Sequence, residues 1–399
     1  MDISNPPIQN NSESYERLFR TLIMITFLIY FQAYMIPPII PYLSTLFQVS
    51  PQIIGLTVPC YMIPYGISSL IFGYLSDRFG RKSIMVFSLF WVTILSLLTA
   101  TTQSVTQLLL WRFFTGALAS GTIPQSLTLI KECFSTEQQG RRLGWVFGAM
   151  VGGMAFGSVF GALLTSILGW RGTFIVIGCL LLLVSYQLWQ QQHLLQSKLS
   201  SRNLPKQGFL KGYQNLFNSR RAKFTYGYIF LHGSFHSGLY TWLGFYLVQR
   251  YSLEQTQIGW SLLAYGISGL LTAPLIGRLA DYYGRTTILI LGLILAGLSS
   301  TVLIFSIPFW LTIFVTISLA VSYCMTQPLL TGMVTEFNSH QRGQAIGINV
   351  FLLFVSFGFG SYLFGELLEF SFAVALLIYS VVILTAALIA ITQLAPKNS

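Results

Sequence analysis

The stretch Gly73-Tyr-Leu-Ser-Asp77-Arg-Phe-Gly80-Arg81 returns 204 residues later as Gly277-Arg-Leu-Ala-Asp281-Tyr-Tyr-Gly284-Arg285. A second set, Gln138, Gly140, Gly144, Gly157 and Ser158, returns as Gln341, Gly343, Gly347, Gly360 and Ser361 at a displacement of 203. Two landmarks whose displacements differ by a single residue mark a duplicated chain, and each copy lies among long apolar runs. Those runs fall near 21–45, 51–73, 83–102, 106–130, 143–167 and 172–192, and again near 224–247, 257–277, 286–305, 308–333, 344–365 and 371–393. Each is long enough to cross a bilayer as a helix, for which roughly 20 apolar residues suffice, and none has the ~10-residue alternation of a membrane β-barrel strand. The expected fold is an all-α membrane protein of twelve transmembrane helices in two pseudo-symmetric six-helix bundles. The N-terminal bundle takes residues 1–192, a cytoplasmic linker 193–223, and the C-terminal bundle 224–399.

Composition agrees. Of 399 residues 54% are hydrophobic and 8% charged, against about 25% charged in a soluble domain. The apolar stretch after the polar N-terminus runs on without a small-residue cleavage site and reads as a first transmembrane helix, not a signal peptide. Cys60, Cys133, Cys179 and Cys324 stand singly, so neither a disulfide framework nor a zinc pattern emerges.

The net charge of +11 would suggest nucleic acid in a soluble protein, but its placement gives another meaning. With both termini in the cytoplasm, all Lys and Arg except Arg112, Arg171 and Arg250 fall on the cytoplasmic side, as insertion favours. The expected location is therefore the inner or plasma membrane, multi-pass, and nucleic acid is excluded as a partner. The stretch 190–223 holds seven basic residues and no acid; it retains its side of the membrane and is also suited to anionic lipid headgroups.

At the loop between spans 2 and 3, Gly73, Leu75, Asp77, Arg78, Gly80, Arg81 and Lys82 match the signature of the major facilitator superfamily of secondary transporters. The chain resembles that superfamily throughout its length, most of all the twelve-helix drug:proton antiporters. Leu108-x-x-x-Arg112-x-x-Thr115-Gly116 is similar to that group's span 4 motif, with Thr115 at its Gln position. Gly144-x8-Gly153-x3-Gly157-Ser158-x-x-Gly161-Ala162 is similar to its glycine-rich span 5 motif, with Ser158 in place of Pro and Ala162 in place of the last Gly. The resemblance implies parallel bundles around a cavity that opens to either side by rocking. It also implies a conformational latch at Gly73, Asp77, Arg78, Gly80, Arg81, Gly277, Asp281, Gly284 and Arg285, with span 11 beside Gly73.

The residues carry their own readings. Asp77 and Arg81 are four apart and would pair on a helix; the alternative is a charged turn that fixes topology. A guanidinium inside an apolar span is costly, so Arg112 is expected to face the central cavity, where Gln32 is placed to hydrogen-bond it; the alternative is snorkelling to the outer headgroups. Gly144, Gly153, Gly157, Ser158 and Gly161 suit tight helix packing. Pro37, Pro38 and Pro41 interrupt span 1, as befits a cavity wall or a simple kink. None of the 11 acids falls mid-span. His232, His236 and Tyr240 share a helical face, and histidine titrates near neutrality, so they are the candidate proton carriers or a hydrogen-bonded packing pair.

The function expected is secondary active transport by alternating access, as proton-coupled efflux of small amphipathic organic compounds, with a permease for sugars or other small metabolites as the alternative. A membrane metalloenzyme built on His232-x-x-x-His236 lacks a third ligand, and no enzyme motif appears. A small-molecule substrate, protons as co-substrate and the lipid bilayer are the expected partners of a monomer. No cofactor and no metal is expected.

Overall fold

The computed structural model describes residues 9–191, 220–336 and 342–394. Most of the expected linker 193–223, together with Gln341, lies outside the described residues. Every described element is helical, because in lipid each backbone group must bond within its own segment.

Span 1 runs as Gln9–Tyr34, a 3-10 turn at Pro37–Ile39 and a short helix Ile40–Phe47; span 2 as Pro51–Gly55 and Pro59–Phe79. Span 3 is Arg81–Ala100, and span 4 is split into Val105–Ala119 and Ile123–Cys133. Spans 5 and 6 share the stretch Thr136–Gln190, which breaks at Gly169, where φ is 71°. Spans 7 to 12 are Arg220–Tyr251, Gln255–Tyr283, Arg285–Val302, Phe309–Glu336, Arg342–Leu367 and Phe372–Leu394. Eight described stretches are by themselves long and apolar enough to cross a membrane, and one of them, Gln138–Gln190, holds two spans. Span 4 is interrupted, and spans 7 and 8 carry more polar side chains.

The duplication is visible in backbone detail. Gly80 has φ 83° and ψ 142°, Gly284 has φ 89° and ψ 138°, and this left-handed corner, which costs glycine nothing, separates spans 2 and 3 and again spans 8 and 9. The corner places Asp77 and Arg81 on consecutive helices, and the expected pairing of the two falls on a side chain outside the described residues.

A methyl group on Gly157 would meet the backbone of Phe31 in span 1, and one on Gly360 would meet the backbone of Ser234 in span 7. Both partners, like both glycines, are 203 residues apart. The same helix-to-helix contact is thus built twice, by a glycine that lets two backbones touch.

Among the described residues, the two halves touch on the side away from the Gly80 and Gly284 corners. There, Gly66 lies against Phe351 and Val355, Gly358 against Ile63 and Pro59, Gly259 against Val159 and Ala162, and Gly266 against Ala155. The Gln255 amide donates to the Pro38 carbonyl at 2.9 Å. Towards the corners the walls part: a methyl group on Gly73, Gly144, Gly148 or Gly277 would meet nothing within 4 Å. The molecule is closed at the face away from the corners and parted at the corner face.

Candidate functional site

Proline decides the local chemistry of span 1. In an unbroken helix the N–H groups of residues 37 and 38 would bond to the carbonyls of Ala33 and Tyr34; Pro37 and Pro38 have none to give. A carbonyl left bare in a membrane interior is costly, and each of these two is taken by a side chain from another span. Arg112 Nη2 donates to Ala33 O at 3.3 Å, and Ser158 Oγ donates to Tyr34 O at 3.1 Å.

Arg112 does more. Its Nη1 donates to Gln32 O at 3.2 Å and its Nε lies 3.5 Å from Thr57 O in span 2. The Thr57 carbonyl is spare because Tyr61 N–H turns to Val58 O instead. The guanidinium also sits 4.2 Å from the centre of the Tyr61 ring, a cation–π contact of the kind that favours desolvated arginine. Arg112 is 1% exposed. Its side chain is turned onto spans 1 and 2 and does not snorkel to the headgroups. It caps the last-turn carbonyls of the first helix of span 1, where the helix dipole favours a cation, and ties spans 1, 2 and 4 together. Gln32 meets Arg112 only through its backbone; its side chain donates to Ser96 Oγ at 2.8 Å.

Ser158, at the position where the resembled motif has proline, also contacts the Tyr240 hydroxyl, so a residue of span 5 reaches span 7 in the other half. Around that contact the halves meet through rings. Tyr34 and Tyr240 have centroids 5.9 Å apart, Tyr240 and Tyr265 4.7 Å, and Tyr65 stacks on Phe354 at 3.9 Å. These aromatic side chains form the layer on which the parted walls converge.

His232 and His236 are both buried, their ring centres 4.4 Å apart. His232 Nε2 contacts Thr326 Oγ1, and His236 Nε2 lies 3.4 Å from Ser322 Oγ, so span 7 is joined to span 10 twice. Tyr323 packs against both rings. No third metal-ligating side chain stands beside the pair among the described residues.

Of the remaining expected site residues, Gly153, Gly157 and Gly161 lie against the backbone of Phe27, Phe31 and Met35 in span 1, whereas Gly144 faces open space. Gly73, expected beside span 11, has no neighbour in this conformation, because the two spans diverge beyond Gly66. Arg78, Asp281 and Arg285 are exposed on the corner face. The side chain of Asp77 lies outside what the structure describes.

Residues not singled out from sequence also belong here. Arg142 pairs with Glu16 through both nitrogens, one bond being 3.1 Å, and its guanidinium covers Phe134 at 3.8 Å and Phe19 at 4.8 Å. This joins spans 1, 4 and 5 at the corner face. Gln327 and Asn349 are amides buried in spans 10 and 11; the signal that could have found them is the one that found Arg112, a polar side chain inside an apolar run.

Known proteins give the arrangement its context. The sequence profile of the Major Facilitator Superfamily matches residues 22–255 and 246–399. The chain is 24% identical over 290 residues to the uncharacterised MFS-type transporter YceJ of Bacillus subtilis, covering 73% of this chain and 72% of that one. It is 27% identical over 267 residues to the inner membrane transport protein YnfM of Escherichia coli, covering 64% and 61%. Among solved structures, a D-xylose-proton symporter superposes with a TM-score of 0.77 at 17% identity, covering 94% of this chain and 97% of that one. The human organic anion transporter MFSD10 superposes with 0.70 at 15% identity, covering 97% and 100%. At such identities the structures speak for the fold. Duplicated halves, a glycine corner repeated in each, and a family profile that spans both lead to one conclusion: this chain belongs to the Major Facilitator Superfamily of membrane transporters.

Proposed function

We propose that this transporter exports small amphipathic organic molecules by alternating access, with protons as the coupling ion and both termini in the cytoplasm. The observation that carries the reading is the aromatic layer between the halves. Tyr34, Tyr65, Tyr240 and Tyr265 offer ring faces with hydroxyl rims and Phe354 a bare ring, a lining suited to a flat apolar body with polar edges. Arg112 is fully engaged by carbonyls, so it is not available as an anion-binding group. The glycine-rich resemblance of span 5 to drug:proton antiporters supports the direction of transport.

The test is uptake of a fluorescent amphipathic dye panel into proteoliposomes with and without an imposed pH gradient. Gradient-driven accumulation is expected; equilibration to the same level in both conditions would point to a facilitator. Proton coupling is assigned to His232 and His236, the only titratable imidazoles described in the spans of the C-terminal half. Replacing both with Gln is expected to leave downhill flux and remove the pH-driven component, and an intact pH-driven component in that variant would exclude them.

Asp77 is proposed to latch the corner face when the halves close there. Asp77→Asn is expected to slow transport at least ~10-fold, a change of about 1.4 kcal/mol in the populations of the two states, with membrane expression intact. Normal flux would refute the latch. A permease for sugars or other small metabolites is the second reading, favoured by the buried amides of Gln327 and Asn349; it predicts uptake of sugars and no response to the dyes.

A further inference from the structure

We propose that a groove between spans 1, 5 and 6 is a binding site for an anionic phospholipid of the leaflet at the corner face, with an acyl tail in the groove and the phosphate on Arg20 and Arg141.

The groove has a volume of about 330 Å³ and is lined by apolar side chains. Leu28, Phe31 and Ile177 are buried and form its floor, while Phe156, Phe160 and Leu180 are exposed and form its rim. An aromatic wall runs along it: Phe27 and Phe156 have ring centres 6.2 Å apart, and Phe156 and Phe160 5.8 Å. Water needs ~2–4 polar partners in such a place and finds none on these side chains. Span 5 meets the other half through Ala155, Val159 and Ala162, so the groove, on the side of span 6, opens away from that half. At this depth the medium outside is hydrocarbon, and the occupant it supplies is an acyl chain.

Span 1 leads from the groove to a cluster of charges. Arg20 precedes Phe27 by seven residues and Phe31 by eleven, close to two and three helical turns, so the three share a face. At 1.5 Å per residue the guanidinium's helix position is about 10–17 Å from the groove, the depth of one leaflet's hydrocarbon. Arg142 holds Glu16, and Arg20 and Arg141 lie within electrostatic reach of the same carboxylate. Glu13 is 3.9 Å from Arg17. Even with Glu137, which precedes Arg141 by one turn, the four arginines exceed the acids, and Arg20 and Arg141 are exposed.

Aromatic side chains mark the same level. Trp145, Tyr186 and Trp189 are exposed at the corner ends of spans 5 and 6, as Trp and Tyr are where a span meets the headgroups. A lipid phosphate at that level is attracted by the excess positive charge, and its tail follows the stripe of span 1 down to Phe27 and Phe31. A neutral headgroup leaves the excess unmatched, so the site selects for anionic lipid.

Photo-cross-linking of the purified full chain in phosphatidylcholine nanodiscs tests this. The probes are a phosphatidylglycerol and a phosphatidylcholine that carry the same diazirine at the end of one acyl chain, with labelled peptides read by mass spectrometry. Span 12 around the exposed Leu388 reports ordinary contact with bulk lipid. The phosphatidylglycerol probe is expected to label the peptides of Phe27 and Phe156 at least ~5-fold more than span 12, and at least ~5-fold more than the neutral probe does, as ~1 kcal/mol per arginine implies. Arg20→Gln combined with Arg141→Gln should bring the two probes level. Arg20→Lys combined with Arg141→Lys keeps the charge, guards against misfolding of the glutamine pair, and should preserve the preference. Leu180→Trp fills the rim and should cut groove labelling by both probes while leaving span 12 unchanged. Groove labelling no higher than that of span 12, equal labelling by the two probes, a preference that survives the glutamine pair, or groove labelling that survives Leu180→Trp would overturn the site.

Discussion

Arg112→Met is expected to cut flux at least ~100-fold, a loss of about 2.7 kcal/mol in whichever state limits transport, and Arg112→Lys should do no better. The reason is the carbonyl set. The guanidinium reaches Gln32 O, Ala33 O and Thr57 O from one planar group, and a lysine ammonium on a flexible stem cannot match that fork. Methionine removes the buried charge and its desolvation cost but strands carbonyls worth ~1–3 kcal/mol each. Lysine keeps the cost and loses part of the bonding. Thermal unfolding in detergent should therefore rank wild type first and Lys no higher than Met. If Lys restores wild-type flux, Arg112 acts through its charge alone and the capping account is wrong.

Gly157→Ala is expected to remove most of the folded transporter from the membrane, whereas Gly144→Ala should be tolerated. The two glycines belong to one motif, but only the first has backbone against it. A methyl group there would collide with the Phe31 backbone, which cannot move aside without displacing span 1; overpacking of this kind costs about 1–3 kcal/mol. At Gly144 the methyl group meets open space, and alanine gains up to about 1 kcal/mol of helix propensity. Expression and unfolding temperature of the two variants check this directly. Similar behaviour of both would show that the motif's glycines are not distinguished by packing.

Much of the architecture was legible because the membrane leaves few solutions. Apolar run length set the twelve spans, and the duplicated Asp-and-glycine corners set the pairing of the halves. The site was legible only in part. Arg112 stood out as a charge in an apolar run, yet its target did not, because carbonyls bared by Pro37 and Pro38 carry no sequence signal of their own. The Gln32 side chain turned to Ser96 in span 3, a contact that depends on helix rotation. Gly73 had no neighbour because the halves are parted at that face, and a sequence names no conformation. Asp77 and Arg81 failed to share a helix because Gly80 takes a left-handed corner between them. Arg142 with Glu16, and Gln327 with Asn349, needed the folded bundles to bring distant spans together.

The central claim is that the halves rock as bodies, so that opening one face closes the other. Spin-label distances measure it in a background with Cys60, Cys133, Cys179 and Cys324 replaced, using Phe79 with Tyr283 on the corner face and Leu46 with Phe370 on the opposite face, all exposed. Gly358→Leu drives a wedge against Ile63 and Pro59 of span 2 at the closed face. The account predicts that the wedge lengthens the Leu46–Phe370 distance and shortens the Phe79–Tyr283 distance together. A wedge that moves the first pair and leaves the second unchanged would contradict it.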